Sequence, residues 1–177
     1  MNVLLTGVQN VVKESVVKLA LDQLSGKVKF KVLSFSDFVE GSETSTSELN
    51  TLRGIQKKLR ENIQLKLLKA KPKEHVIING YFTVRTKIGF VPVITKESID
   101  IFRPDIIVHI EVNPLALQGK IPSKEDFLQN QSVEKFCAVF FGVLASSGIK
   151  VIVTGPDGAR KGADELYRLL KDVLVVE

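Results

Sequence analysis

Hydrophobic positions along this chain follow two rhythms in turn. Val3, Leu4 and Leu5 form a short apolar run, and Val12, Val16, Leu19 and Ala20 come after it at helical spacing. Val28, Phe30, Val32 and Leu33 alternate with lysines and predict a second strand. Gly41 to Ser47 is a polar run and reads as a loop, with Ser47 as cap of a long helix ending near Ala70. Leu52, Ile55, Leu59, Ile63, Leu67 and Ala70 share one stripe of that helix; Leu65 and Leu68 lie off it and suggest a second packed surface.

His75 to Ile78 is a third strand, and the Thr-, Gly- and Pro-containing stretch to Pro92 reads as a loop. Thr95 to Phe102 predicts a short helix. Ile106 to Ile110 is nearly continuous in apolar residues, as in a strand covered on both faces. Lys124 to Ser147 predicts a helix with Phe127, Val133, Phe136, Phe140 and Leu144 facing the core. Val151 to Val153 is the last strand, Gly155 to Gly158 a turn, and Ala163 to Leu174 a closing helix. Strands alternating with helices predict an α/β fold: a doubly wound, five-stranded parallel sheet in three layers.

Composition narrows the class. With 177 residues the chain suits a single domain, residues 1–177, with a sizeable core. The apolar fraction of 44% is ordinary for a globular chain, and no apolar run reaches membrane-spanning length. The N-terminus lacks a basic head and a long apolar stretch, so a cytoplasmic protein without membrane contact is expected. The lone Cys137 excludes an internal disulfide and a cysteine-based metal site; it reads as an inert core thiol. His109, in the apolar fourth strand, reads as a core histidine, and Asp157 as turn chemistry. Between Arg53 and Lys73 there are eight basic residues and one acid, a net +7, so the remainder of the +5 chain sums to −2. Arg53, Lys57, Lys58, Arg60 and Lys69 form either a solvated helix face or a patch for RNA or an acidic protein.

The opening strand, Gly7 and a helix form a unit whose helix N-terminus favours an anion. A phosphate-binding loop has the pattern GxxxxGK[ST]. In Gly7-Val8-Gln9-Asn10-Val11-Val12-Lys13-Glu14-Ser15 the first glycine and the lysine are in place. Val12 replaces the second glycine; strain there would cost about 1–3 kcal/mol, and its methyls would crowd a phosphate. Glu14 replaces the hydroxyl that binds magnesium, and Ser15 comes one residue late. Lys13 is either a phosphate ligand or a solvated first-turn lysine. Glu14 could instead serve as an internal anion at the helix N-terminus.

Several stretches in order resemble the archaeal type of adenylate kinase, a P-loop nucleoside monophosphate kinase. Gly7-Val8 looks like that family's phosphate loop, and Phe35-Ser36-Asp37 falls at its short motif after the second strand. Thr83-Val84-Arg85-Thr86 with Gly89-Phe90-Val91-Pro92 is similar to its Thr-Val-Lys-Thr…Gly-Tyr-Leu-Pro stretch. Arg103-Pro104-Asp105 resembles its Asn-Pro-Asp, and Gly158 aligns with its adenine-loop glycine. The resemblance implies a five-stranded kinase fold. It also implies an acceptor-nucleotide insert at 35–73 and a shortened lid at 114–130. Nucleotide would lie at Gly7, Val8, Asn10, Lys13, Glu14, Ser15, Asn79 and Gly158, with Lys13 and Arg85 as catalytic candidates and no protein metal site.

The departures gather where the chemistry would occur. Asn79 stands in place of an acid, Asn50 falls near an arginine position that Arg53 could fill, and the lid segment holds Lys120 and Lys124 but no arginine. The expectation is a protein that has lost most phosphoryl transfer and works by binding nucleotide, RNA or an acidic partner. The alternative is an active kinase using ATP and magnesium with AMP. The resembled family is often trimeric, which implies a homo-oligomer.

Overall fold

A computed structural model describes residues 1–8, 11–24, 28, 30–35, 49–69, 74–117, 119 and 123–174, the side chains of 11 and 49–51 excepted. Its elements run β1 (Asn2–Thr6), α1 (Val11–Leu24), β2 (Phe30–Ser34), α2 (Leu49–Leu68), β3 (His75–Asn79), β4 (Thr83–Thr86) and β5 (Gly89–Pro92). The second half of the chain forms α3 (Lys96–Phe102), β6 (Ile106–Glu111), a 3₁₀ turn at Pro114–Leu117, α4 (Lys124–Leu144), β7 (Gly148–Val153) and α5 (Arg160–Leu174).

The five-stranded sheet is parallel, in the order β2-β3-β1-β6-β7. Its central strands are buried on both faces, which is why β1, β3 and β6 read as unbroken apolar runs. One layer packs α1 and α5 around Val16, Ala20, Leu166 and Leu170; the other packs α2, α3 and α4 around Leu59, Phe82, Phe102 and Ala138. In a doubly wound sheet, ligands collect beyond the carboxyl ends of the strands where the winding reverses. Here that is the space after β1, β3 and β6.

Four expectations change. The stretch between β3 and α3 is not a plain loop. It holds an antiparallel hairpin, Thr83 opposite Pro92 and Thr86 opposite Gly89. Its strands are four residues each, and its Lys87-Ile88 turn lacks the usual residue types. Gly89 supplies the positive φ of 111°, and the Thr86 hydroxyl donates to the Gly89 carbonyl.

In α4 the inward stripe is Phe127, Gln131, Glu134, Ala138 and Gly142, whereas Phe136, Phe140 and Leu144 are exposed. Small and polar residues let the helix lie close to the sheet; a Cβ at Gly142 would come within 2.4 Å of the Ile149 side chain. The helix also ends at Leu144, before Ser146, which takes a positive φ of 53°. Leu65 and Leu68 are exposed on α2 and make no second packed surface within the described residues. Val12 is unstrained: it lies inside α1 and packs in the core beside Val8 and Val16. Ala70 lies outside the described residues.

Candidate functional site

Gly7 ends β1 with φ at 138°, and a Cβ there would sit 2.5 Å from the Ile110 carbonyl of β6. Only glycine lets these two strands deliver the chain to the turn so closely. Beyond β3, the Gly80 N–H donates to the Leu5 carbonyl, and a Cβ at Gly80 would collide with the Phe35 ring at 2.7 Å. Two backbone carbonyls, of Gly7 and Gly80, are thereby brought together beneath the first turn of α1.

Lys13 fills that space. Its Nζ donates to the Gly7 carbonyl at 3.0 Å and the Gly80 carbonyl at 2.6 Å. The ammonium also stands 6.0 Å above the Tyr81 ring, a cation–π distance. The residue is 2% exposed. Burial lowers its pKa from 10.5 to about 8, against the pull of the Glu134 and Glu14 carboxylates. Lys13 is therefore buried and hydrogen-bonded rather than a solvated first-turn lysine.

Glu14 is exposed, so it is not an internal anion, and Val12 is buried in the core. The internal anion is Glu134, which sequence reasoning missed. Fully buried on α4, it accepts from the Phe82 N–H at 2.8 Å and from the Thr83 N–H and hydroxyl at 2.6 Å each. Burial pushes its pKa up, partly offset by those hydrogen bonds and by Lys13. Burial and the Glu134 charge together raise Tyr81. Gln131, one turn earlier, accepts from the Val112 N–H at 2.8 Å, and Lys135 pairs with Glu111 at 2.9 Å. These ties hold α4 across the carboxyl ends of β6 and the hairpin. The available signal was the i, i+3 pairing of Gln131 with Glu134 in a helix otherwise rich in apolar residues.

Arg85 projects from β4, pairs with exposed Asp126 in the first turn of α4, and lines a cavity of about 260 Å³ with Val8, Tyr81, Asn130 and Glu134. The buried Asn130 Oδ1 in its wall has no hydrogen-bond partner among the described residues. A second space of about 30 Å³ lies beside Lys13, Glu14, Asn79 and Tyr81, and Asn79 Oδ1 is likewise buried without a partner among the described residues. Thus Gly7, Val8, Lys13, Glu14, Asn79 and Arg85 converge on one end of the sheet. Ser15 is half-buried in α1, and Gly158, in the turn after β7 with φ at 110°, lines neither space. Asn10 lies outside the described residues. A larger cavity, about 530 Å³ against Ile99, Arg103 and Ser146, is at the opposite end of the sheet and contributes nothing here.

A magnesium ion in a phosphoryl-transfer site takes one or two protein oxygens and completes its shell from phosphates and water. The turn offers a solvent-facing carboxylate at Glu14 and a neutral amide at Asn79, and among the described residues no three His, Cys, Asp or Glu groups gather. The set fits that ion poorly.

The remaining candidates behave as their surroundings require. Arg53, Lys57 and Lys58 are exposed on α2 and Lys69 is exposed just beyond its end, with Arg60 half-buried. The Lys57–Glu61 pair at 3.9 Å is itself exposed and leaves the basic character of the face intact. His109 is fully buried; burial lowers its pKa to about 4. Cys137 is half-buried, and burial pushes its thiol up to about 11. Phe35 closes the site from below, while Ser36 and Asp37 lie outside the described residues. Lys124 is exposed at the start of α4; Lys120 lies outside the described residues.

Comparison with known proteins agrees with this architecture. A family model described as an AAA domain matches residues 19–125. The chain is 25% identical to an adenylate kinase of Thermococcus onnurineus over 189 residues, covering 97% of this chain and 94% of that one. It is 26% identical to an adenylate kinase of Thermococcus kodakarensis over 193 residues, 99% and 97% covered. An adenylate kinase of Methanoculleus marisnigri is 28% identical over 187 residues, 96% and 97% covered. The crystal structure of APE1195 overlaps 98% of this chain and 95% of its own, at 15% identity and a TM-score of 0.47. With the AAA-domain match spanning more than half of its residues on a parallel P-loop sheet, the chain belongs to that family and, within it, to the adenylate kinases.

Proposed function

We propose that this protein keeps the body of a nucleotide kinase but has lost most phosphoryl transfer, and that it works by binding. The observation that carries this reading is Lys13, whose buried ammonium is held by the Gly7 and Gly80 carbonyls. To grip a phosphate it must surrender both bonds, and hydrogen bonds to a charged group contribute about 1.5–3 kcal/mol each. Phosphoryl transfer needs several cations around the moving group, and losing one such contact costs about 10²–10³ in rate. The lid-type segment carries lysines and no arginine. Nucleotide as the bound partner is supported by kinship with the adenylate kinases and by the spaces that meet at Tyr81.

The test is to mix purified protein with ATP, AMP and magnesium and follow ADP. Turnover well under one per second is expected; a rate in the range of about 1–100 per second would overturn the proposal. The second reading, an active kinase, is favoured by one observation. Arg85 lines the same cavity as Val8 and could bring a positive charge to transferring phosphate. It predicts that Arg85→Ala abolishes measurable turnover.

For RNA or an acidic protein, the supporting feature is the exposed basic face of α2. Binding there should weaken steeply with salt, because it rests on phosphate or carboxylate contacts without base stacking. Reversing Lys57, Lys58 and Lys69 to glutamate should then abolish it in a filter-binding or anisotropy assay.

A further inference from the structure

The helix α2 turns two large apolar side chains toward solvent. At about 100° per residue, Leu65 and Leu68 lie opposite the buried stripe of Leu52, Ile55, Leu59 and Ile63. Leu65 is 53% exposed and Leu68 77%. Three residues apart, they are neighbours on the last turn of the helix. A single exposed leucine is ordinary. This pair differs in its setting, the segment of net +7 that runs from Arg53 to Lys73.

Lysines ring the pair. Lys58 stands two turns before Leu65 on the same face, and Lys57 three turns before Leu68. Lys66 lies beside the leucines and Lys69 just past the helix end; all four lysines are exposed. Lys31 of the edge strand β2 reaches the same end of the helix, where its Nζ donates to the Lys66 carbonyl at 3.4 Å. The one acid from Arg53 to Lys73 is Glu61, and it pairs with Lys57 at 3.9 Å. An apolar centre within a cationic rim is the layout of a protein–protein contact.

We infer that this face takes an acidic segment of another protein, one with a large aliphatic or aromatic side chain between its carboxylates. The inference rests on the basic face being a binding surface, as proposed above, and names the partner that fits it. Carboxylates answer the lysines, and the apolar side chain answers Leu65 and Leu68. RNA would use only half of the surface. Its phosphates would meet the lysines, but no aromatic residue from Leu49 to Lys69 offers its bases a stacking platform. The leucines gain nothing from a sugar-phosphate backbone. An anionic membrane is best met by an apolar stripe running the length of a helix. Here only the last turn is apolar on the outer face; Gly54, Lys57 and Glu61 occupy the turns before it.

Fluorescence anisotropy on the full chain tests this with three labelled probes. They are a short peptide of aspartate and glutamate with two central leucines, the same peptide with serines in their place, and an oligouridine of equal charge. In about 0.15 M salt the leucine peptide is expected to bind at least about tenfold tighter than either of the others. That ratio should hold as salt rises, because the apolar contribution is not screened. Leu65→Ser with Leu68→Ser should erase the ratio, leave the affinity for the serine peptide as it was, and leave the far-ultraviolet circular dichroism unchanged. Phe136→Ser with Phe140→Ser, an exposed apolar pair on α4, should keep the ratio. Vesicles of phosphatidylcholine and phosphatidylglycerol should fail to displace the leucine peptide. The inference alone is overturned if the serine peptide or the oligouridine binds as tightly as the leucine peptide, if the vesicles displace it, or if the Leu65 and Leu68 variant keeps the ratio. Binding of no probe at all overturns the reading of the basic face as well.

Discussion

Gly7 and Gly80 make the site by what they lack. Each lies where a single added carbon would strike another strand or an aromatic ring, and Gly7 also takes a backbone angle that side chains resist. Gly80→Ala should destabilise the protein by about 1–3 kcal/mol, since the Phe35 ring must yield and has little room. Gly7→Ala should cost more, because its obstacle is the Ile110 carbonyl, which is backbone and cannot rotate away. Urea melts of both variants check the ranking; an unchanged midpoint in Gly7→Ala would contradict the packing described here. Val12 and Glu14 teach the opposite lesson. Their identities were legible, but their effect was not, because a motif gives spacing without direction. Val12 turned into the core and Glu14 into solvent, while Lys13, whose presence matched a phosphate loop, turned down onto two carbonyls.

Among the elements, α4 is where sequence and structure part most. Its large apolar residues suggested the inward face by the ordinary rule that such residues are buried. That rule fails when a helix must come close to a sheet and also hold a buried carboxylate. Glu134 fastens α4 to the entry of the hairpin through three hydrogen bonds. Glu134→Ala should leave two buried N–H groups without an acceptor, at about 1–3 kcal/mol each. Glu134→Gln should recover part of the loss, since an amide oxygen can still accept. Chemical denaturation measures the order; equal stability of the wild type and the alanine variant would contradict the strap. By contrast the strands β1, β3 and β6 and the stripe of α2 were readable directly, because continuous apolar runs and a clean i, i+3, i+4 repeat each admit one placement. The β4–β5 hairpin was hidden by strands too short to show a period.

For the molecule as a whole, buried ionisable groups tie stability to pH. The His109 pKa falls from 6.5 unfolded to about 4 folded, so the unfolded chain binds more protons between those values and stability drops as pH falls through them. The full loss approaches about 3 kcal/mol. Glu134 works in the opposite sense, its raised pKa adding stability on acidification, so the comparison must be made against a variant. His109→Val should flatten the slope between about pH 6.5 and 4 in thermal melts; an unaltered slope would contradict a neutral core histidine. Lys13 acts on the alkaline side. With a folded pKa of about 8 against 10.5, it lets stability rise as pH climbs from 8 toward 10.5.

The same group carries the central claim, that the lysine of the phosphate turn is held by the protein's own backbone rather than offered to a nucleotide. Lysine-selective nitrogen NMR of the side-chain amines, titrated with pH in the absence and presence of ATP and magnesium, addresses it directly. One amine should titrate near pH 8 and keep both its shift and its midpoint when nucleotide is added, and it should vanish in Lys13→Met. A midpoint that moves to the ordinary lysine range on adding ATP would show the ammonium leaving Gly7 and Gly80 for phosphate, and would contradict the account.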